Sequence, residues 1–469
     1  MDTQTVTAAS ERDPALDVFH PQLVLVIDRA QPLAGGVRHS LASIERVTVG
    51  RGPRRSAARV VEDGHGTLKI LLPDERVSSL HARFERRDGG WHLTDCGSTN
   101  GSRVGGRNVR ETALADGDVI EIGQALFRYR AAVATPVDAP GDVDASELRG
   151  LPKAFGTLLP WLTRDLETLS RVARSDVSVL LRGETGTGKE VLARAVHGES
   201  GRKGPFVAVN CGALPLNLVE SLLFGHKRGA FSGAAQDELG LVRTAEGGTL
   251  FLDEIGDLGA AAQAAVLRVL QEREVLPLGA TRPIATDVRI VAATHRPIEA
   301  LAASGEFRQD LLARITGFTY AVPPLRDRID DLGLLVAALL GKIAGERANA
   351  MSLTSDLVYA MLGYDWPFNV REVEQRLRTA AILAVDGRIQ LAHVWKDGPP
   401  GRSTGRESSS PPPAKTLSQE DEALHADLVA KLVEHGGNVT RVGEILGKRR
   451  TTVQRWMRRL GIDPDRFRR

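Results

Sequence analysis

Cysteine and aromatic residues are scarce in this chain: Cys96 and Cys211 are its two thiols in 469 residues, and Phe, Trp and Tyr together make up 4%. Two cysteines so far apart, without metal-ligating neighbours, exclude a disulfide framework and a zinc site and suit a reducing cytoplasm. There is no run of about eighteen apolar residues, and residues 1–20 lack a basic start followed by an apolar stretch, so neither membrane insertion nor export is expected. No sign of charge dominates, since Lys and Arg nearly balance Asp and Glu at a formal net charge of +2. The imbalance is local. Arg441, Lys448, Arg449, Arg450, Arg455, Arg458, Arg459, Arg466, Arg468 and Arg469 have few acids among them, and such a basic terminus suits nucleic acid.

With 42% hydrophobic and 26% charged residues the composition is that of an ordinary globular protein, and the length suggests about three domains. Residues 1–20 read as a polar, irregular tail. From 21 to 131, short apolar runs broken by Gly, Asp and Asn predict an all-β domain. Residues 132–150, opening on the Ala-, Pro- and Asp-rich stretch 131–144, read as a linker. From 151 to 396, apolar runs at 177–181, 206–209, 250–252 and 290–293 alternate with helical patterns, as in an α/β domain with a parallel sheet. The segment 397–417, with Ser408 to Pro413, cannot bury a core and reads as a flexible tether before a small helical domain at 418–469.

The strand-like run 177–181 leads into Gly183, Glu184, Thr185, Gly186, Thr187, Gly188 and Lys189, followed by the helical run 190–197. This is the context of a phosphate-binding loop: glycines let backbone N–H groups close on phosphates, the helix N-terminus adds its positive end, and Lys189 supplies a point charge. Glu190 stands where such loops carry a magnesium-binding Ser or Thr, so the metal must rely on other groups. The buried strand ending in Asp253 and Glu254 offers them, Asp253 for Mg2+ and Glu254 to polarise the attacking water. ATP and Mg2+ are the cofactors expected.

Residues 183–190, Gly229-Ala230-Phe231-Ser232-Gly233-Ala234 and 248–257 resemble the central AAA+ domain of sigma-54-dependent activators, the bacterial enhancer-binding proteins, over about 151–395. The resemblance implies that the loop bearing Phe231 engages sigma-54, with Ser232 where the family has Thr. It implies that Asn210 restrains the catalytic glutamate, that Thr294-His295 ends a sensor strand, that Arg308 and Arg314 lie in the segment of arginine fingers, and that Arg371, within Trp366-Pro367-Phe368-Asn369-Val370-Arg371-Glu372, reads the nucleotide in cis. Arg308 and Arg314 are six residues apart, about 240° around a helix, so they cannot share one face of it. Fingers entering from a neighbour would make hydrolysis depend on a homo-oligomeric ring, hexameric or heptameric.

In the first domain, Val49-Gly50-Arg51, Val77 to Ala82 and Gly97 to Gly101 resemble a forkhead-associated (FHA) domain, which implies a β-sandwich with phosphothreonine-binding loops. Arg51 and Ser78 can donate to phosphate and Asn100 can hold the peptide, with Ser79 and Thr99 beside them, whereas His81 and the glycines shape the loops. The segment 53–66 reads as an insertion whose Arg54, Arg55 and Arg59 help attract an anion. At the other end, helical spacing at 424–435, 438–446 and 451–460 resembles a Fis-type helix-turn-helix, with Arg449, Arg450, Thr451, Thr452, Gln454 and Arg455 as candidate DNA contacts. The expectation is a cytoplasmic ATPase that remodels sigma-54 RNA polymerase holoenzyme from enhancer DNA, under a phosphothreonine signal from a Ser/Thr kinase. The alternative is a DNA-binding regulator or scaffold whose AAA+ core only oligomerises.

Overall fold

The computed structural model describes residues 6–7, 17–150, 155–215, 218–400 and the single positions 431, 442 and 445. The chain divides into two compact units, Met1–Pro399 and Pro400–Arg469, and every element with described bounds lies in the first. Apart from the single positions 431, 442 and 445, the predicted helix-turn-helix, with all six of its candidate DNA-contact residues, falls outside the described residues. Among the described residues no helix is long and apolar enough to cross a membrane.

The first domain is a sandwich of two sheets. One runs in the order Arg107–Val109, Ser102–Val104, Val119–Ile122, Ala125–Pro136, Asp17–Asp28, Val37–Ser40, Asp142–Asp144. The other runs Glu111–Ala113, Gly90–Asp95, Ala82–Arg87, Arg46–Arg51, His65–Leu72, Ser56–Glu62. Leu23, Leu25, Val47, Val49, Phe84, Trp91 and Phe127 fill the space between them.

Three expectations need correction here. The presumed linker is largely sheet: residues 132–136 continue a strand paired with Asp17–Asp28, and Asp142–Asp144 pairs with Val37–Ser40. The presumed insertion is a hairpin whose second strand, His65–Leu72, lies parallel to Arg46–Arg51 and buries Leu68, Ile70 and Leu72. Two of its three arginines are spent on structure, Arg59 binding Asp142 and Arg55 binding Asp144, while Arg54 is exposed. The tail, too, is not wholly irregular, since Val6–Thr7 pairs with the edge of the α/β sheet and Asp17–His20 starts a sandwich strand.

The α/β domain has a parallel sheet in the order Val6–Thr7, Phe318–Ala321, Val179–Arg182, Arg289–Thr294, Thr249–Asp253, Phe206–Asn210. Its strands are apolar on both faces because both are covered: Leu180, Leu250, Leu252 and Ile290 join one core, and Val179, Leu181, Phe251 and Val291 the other.

A helical lid follows, built from Leu332–Ala344, Ser355–Leu362 and Asn369–Leu383. Its core is completed by the sandwich. Along the strand Asp17–Asp28, Leu23 and Leu25 face the sandwich interior, whereas Val24 and Val26 join Leu126 in one apolar cluster with Leu332, Val336, Leu340 and Trp366 of the lid. The helix Leu332–Ala344 lies so close that a Cβ on Gly333 would sit 1.8 Å from the Val26 carbonyl oxygen. Buried polar pairs rim the join. Asp330 receives Arg128 and Arg130 at 2.9 and 2.7 Å, and Glu121 holds Arg29 at 2.7 Å and the Ser355 hydroxyl at 2.8 Å.

Candidate functional site

The strand Val179–Arg182 ends at the predicted phosphate loop, and the helix Lys189–Glu199 starts directly after Gly188, whose φ of +100° suits a residue without Cβ. Lys189 is 6% exposed, and its Nζ donates to the carbonyls of Gly183 and Glu184 at 2.9 and 3.2 Å. Burial pulls its pKa below the ordinary lysine value. The Thr187 hydroxyl donates to the Glu184 carbonyl, closing the turn. Of the predicted loop residues, Glu190 stands apart: its carboxylate is exposed and paired with Arg194 at 2.7 Å.

Asp253 and Glu254 lie at the carboxyl edge of the same sheet. Lys189 Nζ is 3.8 Å from Glu254 Oε1. Glu254 has a left-handed backbone, φ +52°, a conformation non-glycine residues adopt sparingly at functional turns. Its carboxylate accepts from the His295 backbone N–H at 3.2 Å and lies 2.7 Å from His295 Nδ1. The group that holds Glu254 in this structure is therefore His295. Asn210, expected in that role, is opposite Asp253 in register, but its side chain accepts from the Ala213 N–H and caps a short turn. Thr294 is buried at the end of its strand, where its carbonyl accepts from the Gly183 N–H.

A mostly apolar cleft of about 340 Å3 adjoins the loop, lined by Leu162, Leu166, Val191, Tyr320, Val322 and Leu335. It suits a purine base, with the loop amides and Lys189 placed for phosphates. Burial, and then the neighbouring Glu254 charge, raise the pKa of Asp253, a repulsion that a divalent cation relieves. Among the described residues no group of three or more His, Cys, Asp or Glu could hold a metal. The donor set fits Mg2+, which commonly takes one or two carboxylates and completes its shell with phosphate oxygens and water.

The lid grips the loop from above. Arg326 forms a two-pronged pair with Glu184 at 2.6 and 2.8 Å, and together with the Asn369 amide it holds the Glu184 carboxyl down to about 2. Asn369 is fully buried, its Nδ2 donating to Glu184 and to the Thr185 carbonyl while its Oδ1 accepts from the Leu325 N–H. Arg328 donates to the Thr187 carbonyl at 2.9 Å. The backbone N–H of Arg371 donates to the Gly186 carbonyl at 3.2 Å. Gly186 has φ +80°, and a Cβ there would sit 2.2 Å from the Phe368 carbonyl. Sequence reasoning missed Arg326, Arg328 and Asn369, although Asn369 lies inside the quoted 366–372 motif and the two arginines follow Pro323-Pro324.

Arg308, Arg314 and most of the 229–234 loop are at the surface, whereas Ala234 is buried. Arg308 precedes the helix Gln309–Ile315 as its N-cap and pairs with Asp310 at 2.7 Å, while Arg314 lies in its last turn. The 240° separation predicted for two residues of one helix therefore does not apply, because Arg308 is outside the helix. The 229–234 loop is a tight turn with Gly229 N–H donating to the Ala234 carbonyl at 2.9 Å; Phe231 is 37% exposed, with its ring 4.9 Å from that of His226.

At the sandwich end, Arg51 N–H donates to the Ser78 carbonyl, Thr99 N–H donates to the Ser78 hydroxyl, and Asn100 Nδ2 donates to the Arg76 carbonyl. Arg51, Ser78, Ser79, Thr99 and Asn100 thus share one rim. His81 lies wholly buried beneath it, accepting from Ser78 N–H through Nδ1 and bonding the Gly101 carbonyl through Nε2, which makes it the loop-shaping residue expected. Asp95 ties the second loop through Ser98 and Ser102; burial would raise its pKa, but those hydrogen bonds hold it below the usual value.

Comparison with known families agrees with this division. The sigma-54 interaction domain matches residues 160–320, the FHA domain 47–123 and the AAA+ ATPase lid domain 326–410. The chain is 43% identical over 304 residues to the hydrogenase transcriptional regulatory protein HoxA of Cupriavidus necator, covering 63% of each chain. It is 40% identical to the transcriptional regulatory protein GlrR of Escherichia coli, over 67% of this chain and 70% of that one. It is 35% identical to the DNA-binding transcriptional regulator NtrC of Azospirillum brasilense, over 77% and 76%. The chain thus spans less than two thirds of HoxA and between two thirds and about three quarters of the other two.

Proposed function

Since this chain belongs to the family of sigma-54-dependent transcriptional regulators, with an AAA+ ATPase domain and an FHA domain, we propose that it is an ATP-driven activator of sigma-54 RNA polymerase under phosphothreonine control. Bound ATP with Mg2+ supplies the transferable γ-phosphoryl group. Lys189 and the loop amides hold its phosphates, Asp253 faces the cation, and Glu254 takes a proton from the attacking water. His295 is the latch on Glu254, holding the carboxylate at 2.7 Å until the nucleotide draws it in.

Arg308 and Arg314, both on the surface, reach the nucleotide of the next subunit in a hexameric or heptameric ring, so that assembly switches hydrolysis on. Turnover moves the Phe231 loop against sigma-54, while the C-terminal residues hold enhancer DNA. The FHA rim at Arg51, Ser78 and Asn100 takes a phosphothreonine protein made by a Ser/Thr kinase. The observation that carries the reading is the convergence of Lys189, Glu254 and His295 at the sheet edge beneath a lid that shares its core with the FHA domain.

The test is open-complex formation by sigma-54 holoenzyme on a dependent promoter with ATP. Wild type is expected to open DNA and Glu254→Gln is not; opening by both would refute hydrolysis-driven activation. A second reading, in which the ring organises DNA without engaging sigma-54, is favoured by Phe231 resting on His226 beside Ser232. It predicts that wild type hydrolyses ATP yet opens promoter only as Ser232→Thr.

A further inference from the structure

A polar cleft of about 670 Å3 opens between the FHA rim and the lid, and both domains line it: Arg76, Asn100 and Arg103 from the rim, Asp356, Arg388 and Gln390 from the lid. Two further residues in its wall are already committed, Arg29 and Glu121 binding each other at 2.7 Å, with Glu121 also taking the Ser355 hydroxyl. Arg103 lies 3.8 Å from Glu121 and donates to Asn108. Arg76 and Arg388 have no ion pair among the described residues, and they approach the cleft from opposite domains. The Thr354 hydroxyl, also in the wall, is shielded from solvent without a hydrogen-bond partner among the described residues. With four arginines against two carboxylates, Glu121 and Asp356, the lining has an excess of positive charge of two.

The cleft begins at Asn100, the residue placed to hold the backbone of a bound peptide. From Asn100 the cleft extends to Asp356, Arg388 and Gln390 of the lid. We propose that this cleft is a second anion subsite that takes an acidic side chain flanking the phosphothreonine, with Arg388 of the lid as its principal contact and Arg76 opposite. The proposal rests on the phosphothreonine reading of the FHA rim. It makes the lid part of the peptide site, so that sequence preference is set by a residue outside the FHA domain. An exposed or half-exposed guanidinium opposite a carboxylate gives discrimination of up to about fivefold, weakened by salt.

The experiment uses the full chain and a set of synthetic phosphothreonine peptides in which one Asp is moved through each flanking position, read by fluorescence anisotropy. Expected is one position where Asp improves affinity roughly two- to fivefold, a gain lost in Arg388→Ala and turned into a preference for Lys in Arg388→Glu. Arg388 is exposed, so these variants are expected to fold, and circular dichroism checks it. A flank preference that is absent, or unchanged in both variants, overturns the subsite while leaving phosphothreonine binding intact. If no phosphothreonine peptide binds, and Arg51→Ala changes nothing, the FHA reading fails and the subsite with it.

Discussion

The lid meets its two neighbours in opposite ways. Toward the FHA sandwich it buries Leu332, Val336 and Leu340 against Val24, Val26 and Leu126, with Gly333 packed on the Val26 backbone. Toward the phosphate loop it offers Arg326, Arg328, Asn369 and the Arg371 amide, each bonded to a loop carboxylate or carbonyl. Apolar burial is non-directional and lost only with the whole contact area, whereas charged hydrogen bonds can be exchanged one by one for bonds to phosphate or water. The first join makes FHA domain and lid one body; the second is the one a nucleotide can rearrange.

Substitutions at the two joins should therefore differ in kind. Asp330 is 1% exposed and takes two arginines, so Asp330→Ala is expected to cost about 3–5 kcal/mol in chemical denaturation, because Arg128 and Arg130 are left without their buried partner. Gly333→Ala sharpens the comparison through its sign. In an exposed helix the change would stabilise by about 1 kcal/mol. Here the new Cβ meets backbone, and a loss of about 1–3 kcal/mol or more is expected; a gain would show that the close approach to Val26 is absent in solution.

At the other join, Asn369→Ala removes three hydrogen bonds of a buried amide and is expected to cost about 1–3 kcal/mol and to weaken ATP binding, as isothermal titration would show. Arg326→Ala breaks an exposed pair and should change stability by under about 1 kcal/mol. A further test is a slope. Burial raises the Asp331 carboxyl to about 6, although the Leu158 N–H and the Thr157 hydroxyl draw it down. Raised in the folded state, this group favours folding below the ordinary carboxylate range and loses that contribution as pH rises through about 6. Wild-type stability should fall between about pH 4 and 6 more steeply than that of Asp331→Asn; parallel curves would deny the shift.

Much of the nucleotide site was legible because its chemistry is local: glycines, a lysine and a strand ending in two acids lie within short motifs whose geometry follows from the chain alone. The same holds for Arg51, Ser78 and Asn100, set by loop motifs. What was not legible depends on partners distant in sequence. The run Leu23 to Ile27 has no polar residue, and five consecutive apolar positions announce a strand buried on both faces, but nothing in them says that a helix some three hundred residues later covers the second face. Residues 131–144 have linker composition, yet the strands beside them supply backbone partners that composition does not reveal. Arg55 and Arg59 looked available to an anion until Asp142 and Asp144 came within reach. His295 was legible with Thr294 as the end of a sensor strand, but its hold on Glu254, made where that residue takes a left-handed turn, was not.

The most direct test of this division is amide hydrogen exchange on Glu254→Gln with and without an ATP analogue. Strand residues 23–27 and helix residues 332–344 should exchange slowly and alike in both states, while protection changes at 183–189 and 366–371. Exchange at 23–27 that rises independently of 332–344 when nucleotide binds would contradict the single FHA–lid body on which the account depends.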